Sequence, residues 1–206
     1  MKIRRKSCLW MALVMLLVAG GVVFLAGSRA PSREEKNDQF LAAVIGVHHL
    51  GPNYWIDSFY INKRIGDSVG EGGGGGSRSC CVNLPIKSSP KLTADVRWEV
   101  RRIKRSSDLN APETAEVDGI YQATVLVEPY SEPGDLYVHF FSNGRVRIVV
   151  SRYTSFGEHH PIQENNVLAS REATSGRPIT AIFSKEDLED LQREADRDRK
   201  LYGDWR

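Results

Sequence analysis

The chain has 206 residues, 41% of them hydrophobic, with 28 Lys and Arg against 26 Asp and Glu for a formal net charge of +2. That length allows one domain plus appendages, and the apolar share is enough for a real core, which excludes disorder throughout. Five of the basic residues precede position 31, and the remaining 23 against 26 acidic residues leave the rest at a net charge of −3, which excludes a net-basic nucleic-acid binder.

Lys2, Arg4, Arg5 and Lys6 precede Leu9 to Gly27, a run without charge until Arg29. A basic head followed by an apolar stretch is an export signal. Its length lies between that of a signal-peptide core and the roughly 20 apolar residues of a spanning helix. Residues 1–30 are therefore expected as a signal peptide cleaved after Ser28 or as an N-terminal membrane anchor. Polar residues 31–39 read as a tether, and a β-rich domain is expected over 40–206.

Leu41 to Val47 is a continuous apolar run suited to a buried strand. Gly51, Pro52 and Asn53 make a turn, and alternation from Trp55 to Asn62 predicts a second strand. Gly72 to Gly76 have almost no side chains and cost much backbone entropy to order, so they read as a mobile linker or surface loop. Cys80 to Pro85 alternate as a strand in which Cys80 and Cys81 point to opposite faces.

Cys8 lies before the apolar run, so only Cys80 and Cys81 reach the oxidising side. The reading favoured is two thiols, one a small buried hydrophobe and one near the surface, with a vicinal eight-membered ring or an intermolecular bridge as the alternatives. Adjacent thiols lack the ligand spacing of a structural zinc site.

Leu92 to Ile103 alternates cleanly and predicts a half-buried antiparallel strand, with Arg101 to Arg105 as a solvated strand end. Ser106 to Asp118 reads as a loop and Tyr121 to Val127 as a strand. Leu136 to Phe141 and Arg145 to Ser151 flank Ser142-Asn143-Gly144, the strongest hairpin signal in the chain. Near the end, Ser184 with Asp187 predicts a helix cap, Phe183 and Leu188 a staple, and the helix should run over about 185–200. Leu188, Leu191 and Ala195 would pack it by a narrow stripe over a sheet edge or face. The expected fold is mainly β, an antiparallel β-sandwich or open barrel with one C-terminal helix.

Five histidines invite a metal or acid–base reading, as His48-His49, His139 and His159-His160. Neighbours in a strand project to opposite faces, no HxH or HxxxH spacing is present, and no metal or cofactor is expected. His139 should be a hydrogen-bonded or edge histidine of the hairpin strand, and His159-His160 before Pro161 read as loop residues. No GxSxG elbow and no complete P-loop occur, so the chain is read as lacking a catalytic set. An uncharacterised hydrolase would have to rest on His139, His159 or Cys80. Aromatic and acidic residues in turns suit a protein interface instead: Tyr54, Trp55 and Asp57; Tyr130, Glu132 and Asp135; Tyr153, Phe156 and His159. For Trp55 and Tyr130 completion of the core is the competing reading.

The order GPNYW, IDSFYIN, GGGGSRSCCVNLP, LTADVRW, VEPY, PGDLYVHF and VRIVVS, over roughly Val44 to Ser151, resembles a family of exported Gram-negative bacterial proteins, many of them lipoproteins. Members sit beside phospholipase effectors of the type VI secretion system, so the chain is similar to lipase immunity proteins of the Tli type. The resemblance implies a periplasmic protein, soluble or held at the inner membrane, that binds its cognate lipase effector, with the effector's loading adaptor as a further partner. It implies no nucleic acid, and membrane contact only through the N-terminal segment. Ser28 stands where many relatives carry a lipidated cysteine, so acylation there is excluded. The alternative is a non-catalytic envelope structural or adaptor domain.

Overall fold

The main core is drawn from two five-stranded sheets. The computed structural model describes residues 38–74, 78–104, 113–163 and 168–203. The strands are β1 (Gln39–His49), β2 (Tyr54–Ile61), β3 (Arg64–Val69), β4 (Ser79–Pro85), β5 (Thr93–Lys104), β6 (Thr114–Leu126), β7 (Asp135–Phe141), β8 (Arg145–Ser151), β9 (Thr174–Ser175) and β10 (Arg177–Pro178). One helix, α1, spans Lys185–Tyr202. The first sheet has the order β4-β1-β7-β8-β9 and the second β10-β6-β5-β2-β3. The apolar leader and Cys8 lie outside the described residues, and no described helix is long and apolar enough to cross a membrane.

Among the described strands pairing is antiparallel except between β1 and β7, which run parallel from Val44 opposite Leu136 to His49 opposite Phe141; an isolated parallel bridge joins Val127 to Ile148. Inward residues of both sheets form one cluster that includes Val44, Ile56, Phe59, Trp98, Val138, Phe140 and Ile148. The rings of Phe140 and Phe59 meet edge to face across the sheets at 5.3 Å. The outer face of the first sheet is also buried. Ile45, Val47, Tyr137, Phe141 and Val149 pack there against Ile162 and Ala169 from the segment after β8. This second layer explains why β1 is apolar on both faces, where a sheet with one wet face would alternate.

The β7–β8 hairpin turns at Asn143 and Gly144, both at φ 62°, as the Asn-Gly signal predicts. β3 went unpredicted. It follows a turn at Asn62 and Lys63, with φ of 50° and 66°, so a hairpin-type turn is made there without glycine. The predicted loop from 106 to 118 is shorter than expected, because β6 already begins at Thr114. Residues 105–112 lie outside the described ones.

Of the glycine run, Gly75 and Gly76 lie outside the described residues, but Gly73 and Gly74 are packed against β1. The His48 amide donates to the Gly73 carbonyl at 2.7 Å, and Gly74 at φ 112° bridges to Val47. A side chain at Gly74 would come within 2.6 Å of the Gly46 carbonyl and 2.9 Å of the Val47 Cα, so close backbone approach requires glycine there.

The favoured reading of two free thiols is overturned, since Cys80 and Cys81 form a vicinal disulfide. The ladder supplies the reason. Ala42 opposes Val82 and Val44 opposes Ser79, which leaves two cysteines facing the single Ala43. That is a β-bulge, and it turns adjacent side chains out of strict alternation so that the sulfurs can meet. The bulge lies on the outermost strand of the first sheet, where a kinked edge discourages pairing with a further strand. Replacing both cysteines by serine is expected to cost on the order of 1 kcal/mol, because the closed ring is very small. Denaturant midpoints at unchanged m-value check this, and a loss above about 3 kcal/mol would show that the ring holds more than the bulge.

The helix forms where the cap predicts, with a full capping box between Ser184 and Asp187. Its expected covering role is not met. None of its residues is buried, and Leu188 is 54% exposed. Anchorage is polar and lies in the first two turns, where Lys63 also reaches Asp190 at 3.6 Å. Asp187 binds Arg97 at 2.6 Å and Lys63 at 2.7 Å, while Phe183 just before the helix packs on Tyr60. These two cations, Arg97 first, hold the Asp187 carboxyl well below the usual carboxylate range.

Candidate functional site

The parallel β1–β7 pair places His49 and His139 on the outer face of the first sheet, and the segment after β8 folds back over that face. Residues 152–163 form a flap. Its backbone is fixed by Gly157 N donating to Thr154 O at 2.8 Å and His160 N donating to Gly157 O at 3.0 Å. The Gln163 side-chain amide donates to the carbonyls of Gly157, Glu158 and His160. Ser155, His160 and Ile162 are buried beneath it. Further along, Arg145 and Arg147 from β8 donate to the carbonyls of Ser170 and Ala169, and Arg147 also pairs with Glu128 at 2.6 Å and Glu172 at 3.0 Å.

What the flap buries is a series of imidazoles. His49 Nε2 lies 2.9 Å from His139 Nδ1, His139 Nε2 lies 3.0 Å from His160 Nε2, and His160 Nδ1 lies 3.0 Å from the Tyr153 carbonyl. The His139 ring is fully buried and nearly parallel to that of His49 with centroids 5.2 Å apart, the two meeting through their N···N contact, while Phe141 stacks on His49 at 4.7 Å. His48 points to the opposite face and binds the Gly70 carbonyl. Among the described residues no group of three His, Cys, Asp or Glu is placed to hold a metal. The chain geometry agrees, because His139 spends its two nitrogens on different neighbours and the three rings share no common point.

Burial is the first cause of every shift here. It lowers the His49 pKa to about 4, helped by His48 and His160, and pushes His139 well below its ordinary value, helped by His49, His160 and Arg147. His160 is lowered by burial against the opposing pull of the Tyr153 carbonyl, and His48 by burial against that of Gly70. A histidine whose pKa falls on folding is favoured neutral in the native state. Its stability is therefore complete above about pH 6.5 and is lost as pH falls below it, for His49 toward about 4. Unfolding free energy is expected to decline over that window by up to about 1.4 kcal/mol per pH unit for each such histidine. Denaturant titrations at half-unit steps test this, and a flat profile from pH 7 to 4.5 would refute it.

The nine predicted contact residues fall at two ends of the fold. Tyr54 packs against the main core and lines a cleft of about 150 Å³ with Phe141 and Gly144 at the hairpin end. Nearby Trp55 is half-buried opposite Arg101, which pairs with Asp57 at 3.3 Å. The other six gather at the start of β7. Of these, Tyr130 packs on the core and donates to the Pro85 carbonyl, so it completes the core. Asp135 is held by Arg78 at 2.7 Å and Glu132 by Arg152 at 3.0 Å. Tyr153, Phe156 and His159 stand on the flap. Phe156 is 64% exposed and Tyr153 42%, and the Tyr153 ring meets exposed His159 at 5.3 Å. The imidazole series was not foreseen, because its members lie 90 and 21 residues apart and meet only through the β1–β7 pairing and the fold-back of the flap.

The family described as "Protein of unknown function (DUF3304)" matches residues 52–148. That match runs from the turn before β2 into β8, so β1, the flap and α1 lie outside it. No curated protein and no solved structure matches the chain.

Proposed function

We propose that this chain is an immunity protein that binds a type VI secretion phospholipase effector in the periplasm and covers its substrate cleft. The observation that carries the reading is the pairing of exposed aromatics with a fixed backbone. Tyr153, Phe156 and His159 stand in solvent on a flap whose Ser155, His160 and Ile162 are buried. An exposed aromatic presented on an ordered segment loses little conformational freedom on binding, which is how a small anchor supports a tight complex. Charged neighbours Glu132, Arg152 and Asp135 form the rim that such an anchor requires. The sequence resemblance names the partner, and occlusion needs no chemistry from the inhibitor. Because inhibition of a toxin depends on residence time, slow dissociation is expected.

The test is direct. The neighbouring gene should encode a lipase, and the purified full-length chain should form a complex with it and stop phospholipid hydrolysis at a one-to-one ratio. Neither complex nor inhibition would end the proposal. Deletion separates it from an envelope adaptor: loss of an immunity gene is harmless alone and lethal when a neighbouring cell delivers the effector.

A further inference from the structure

The three imidazoles under the flap have one hydrogen-bonding direction, and a carbonyl fixes it. Tyr153 O only accepts, so His160 Nδ1 carries hydrogen and, in a neutral ring, His160 Nε2 accepts. His139 Nε2 must then donate to it, His139 Nδ1 accepts, and His49 Nε2 donates. The series runs from His49 to Tyr153 with every contact satisfied. Its far end is a carbonyl that cannot pass a proton on, so it is not a conduit.

One added proton can enter at His49 Nδ1 with both ring-to-ring bonds kept, its charge shared along the series. A second proton cannot. Two hydrogens would then face each other in one of the N···N contacts, and that bond is lost. Among the described residues no carboxylate hydrogen-bonds to any of the three rings. Arg147 faces the series from β8 and already holds Glu128 and Glu172, Tyr137 touches His160 from β7, and His48 lies beside His49 on β1 with Glu71 near it. The flap itself contributes the Tyr153 carbonyl and the side chains of Tyr153, Glu158 and exposed His159. His49 and His139 belong to sheet strands, whereas His160 belongs to the flap, and its bond to His139 ties the flap to the sheet. A charged His160 can reach water by lifting; His139, fully buried in its strand, cannot.

We propose that His49, His139 and His160 form an acid-operated latch that fastens residues 152–163 to the first sheet when neutral and releases them when doubly protonated. The latch is a property of the chain alone. That its opening also releases a partner rests on the proposed function.

Amide hydrogen exchange of the full-length chain, corrected for intrinsic rates, tests it between about pH 7.5 and 3.5. Protection at Gly157 and His160 is expected to fall at least about tenfold, with a midpoint between about pH 4 and 6, while β7 stays protected. His49→Gln keeps a donor toward His139 but removes one titrating ring, so the loss should become less steep with pH. His160→Asn should leave the flap open already at pH 7.5. Flap protection that does not change with pH, or that disappears only together with β7, would overturn the latch. Dissociation of the complex should accelerate in the same window. Flap opening without faster dissociation would keep the latch and overturn its link to the partner surface, while failure to form any complex would count against the proposed function alone.

Discussion

Phe140→Ala is expected to cost about 3–5 kcal/mol, the range for emptying a fully buried aromatic site that cannot collapse. Phe140 is 0% exposed, and its ring stands 5.3 Å from Phe59 and 5.7 Å from Trp98. It belongs to β7 in the first sheet, whereas Phe59 and Trp98 belong to β2 and β5 in the second. The cavity would open between two hydrogen-bonded sheets, neither of which can close on it without breaking its own ladder. Glycines have already been placed to seat this cluster, since a Cβ at Gly46 would fall within 2.8 Å of the Phe59 ring and one at Gly66 would overlap it. Domains of this size are stable by about 5–15 kcal/mol, so the variant forfeits roughly a fifth or more. Denaturant midpoints at unchanged m-value give the cost. Phe140→Leu should lose less than half as much, and a cost below about 1 kcal/mol for the alanine variant would mean that the sheets do not meet on this ring.

What the sequence made legible was local. Asn143-Gly144 announces its hairpin because two adjacent residues at positive φ almost require that pair. Ser184 and Asp187 announce the helix because both halves of the capping box lie within four residues. β5 is readable since one face is apolar and the other carries Arg97, Glu99 and Arg101, although Arg97 is buried by its contacts to the helix start. β3 escaped because Lys63 occupies a turn position that usually signals itself with glycine. The first turns of β6 escaped because Thr114 to Asp118 run beyond the core and show no alternation.

The candidate site was legible only in part, for a different reason. Phe156 and Tyr153 are exposed on a turn-rich segment, which composition suggests, but the burial that fixes that segment comes from β1 and β7. A parallel pairing between strands almost a hundred residues apart leaves no trace in either strand's own pattern. The disulfide follows the same logic. Adjacency of Cys80 and Cys81 is visible at once, yet the bulge that lets them join is set by the register against Ala42 and Val44.

Tyr153→Ser combined with Phe156→Ser is expected to weaken the proposed complex with a lipase by at least about 100-fold, roughly 3 kcal/mol, since exposed aromatics at an interface centre carry the largest single-residue losses. Folding should be almost untouched. Both side chains point into solvent, and the Tyr153 contacts that hold the flap are made by its backbone, whose carbonyl accepts from His160 and Ser151 and whose amide donates to Ser151 Oγ at 3.0 Å. A change of less than about 0.5 kcal/mol in stability is therefore expected. The loss should lie mainly in koff, because a removed anchor shortens residence while the charged rim that guides encounter is intact. Surface plasmon resonance and a phospholipid-release assay read the two quantities separately. Trp55→Ser at the other end of the fold serves as the contrast. If Trp55→Ser abolishes inhibition and the flap variant does not, the partner binds the second sheet, and the flap is not the surface that covers the lipase.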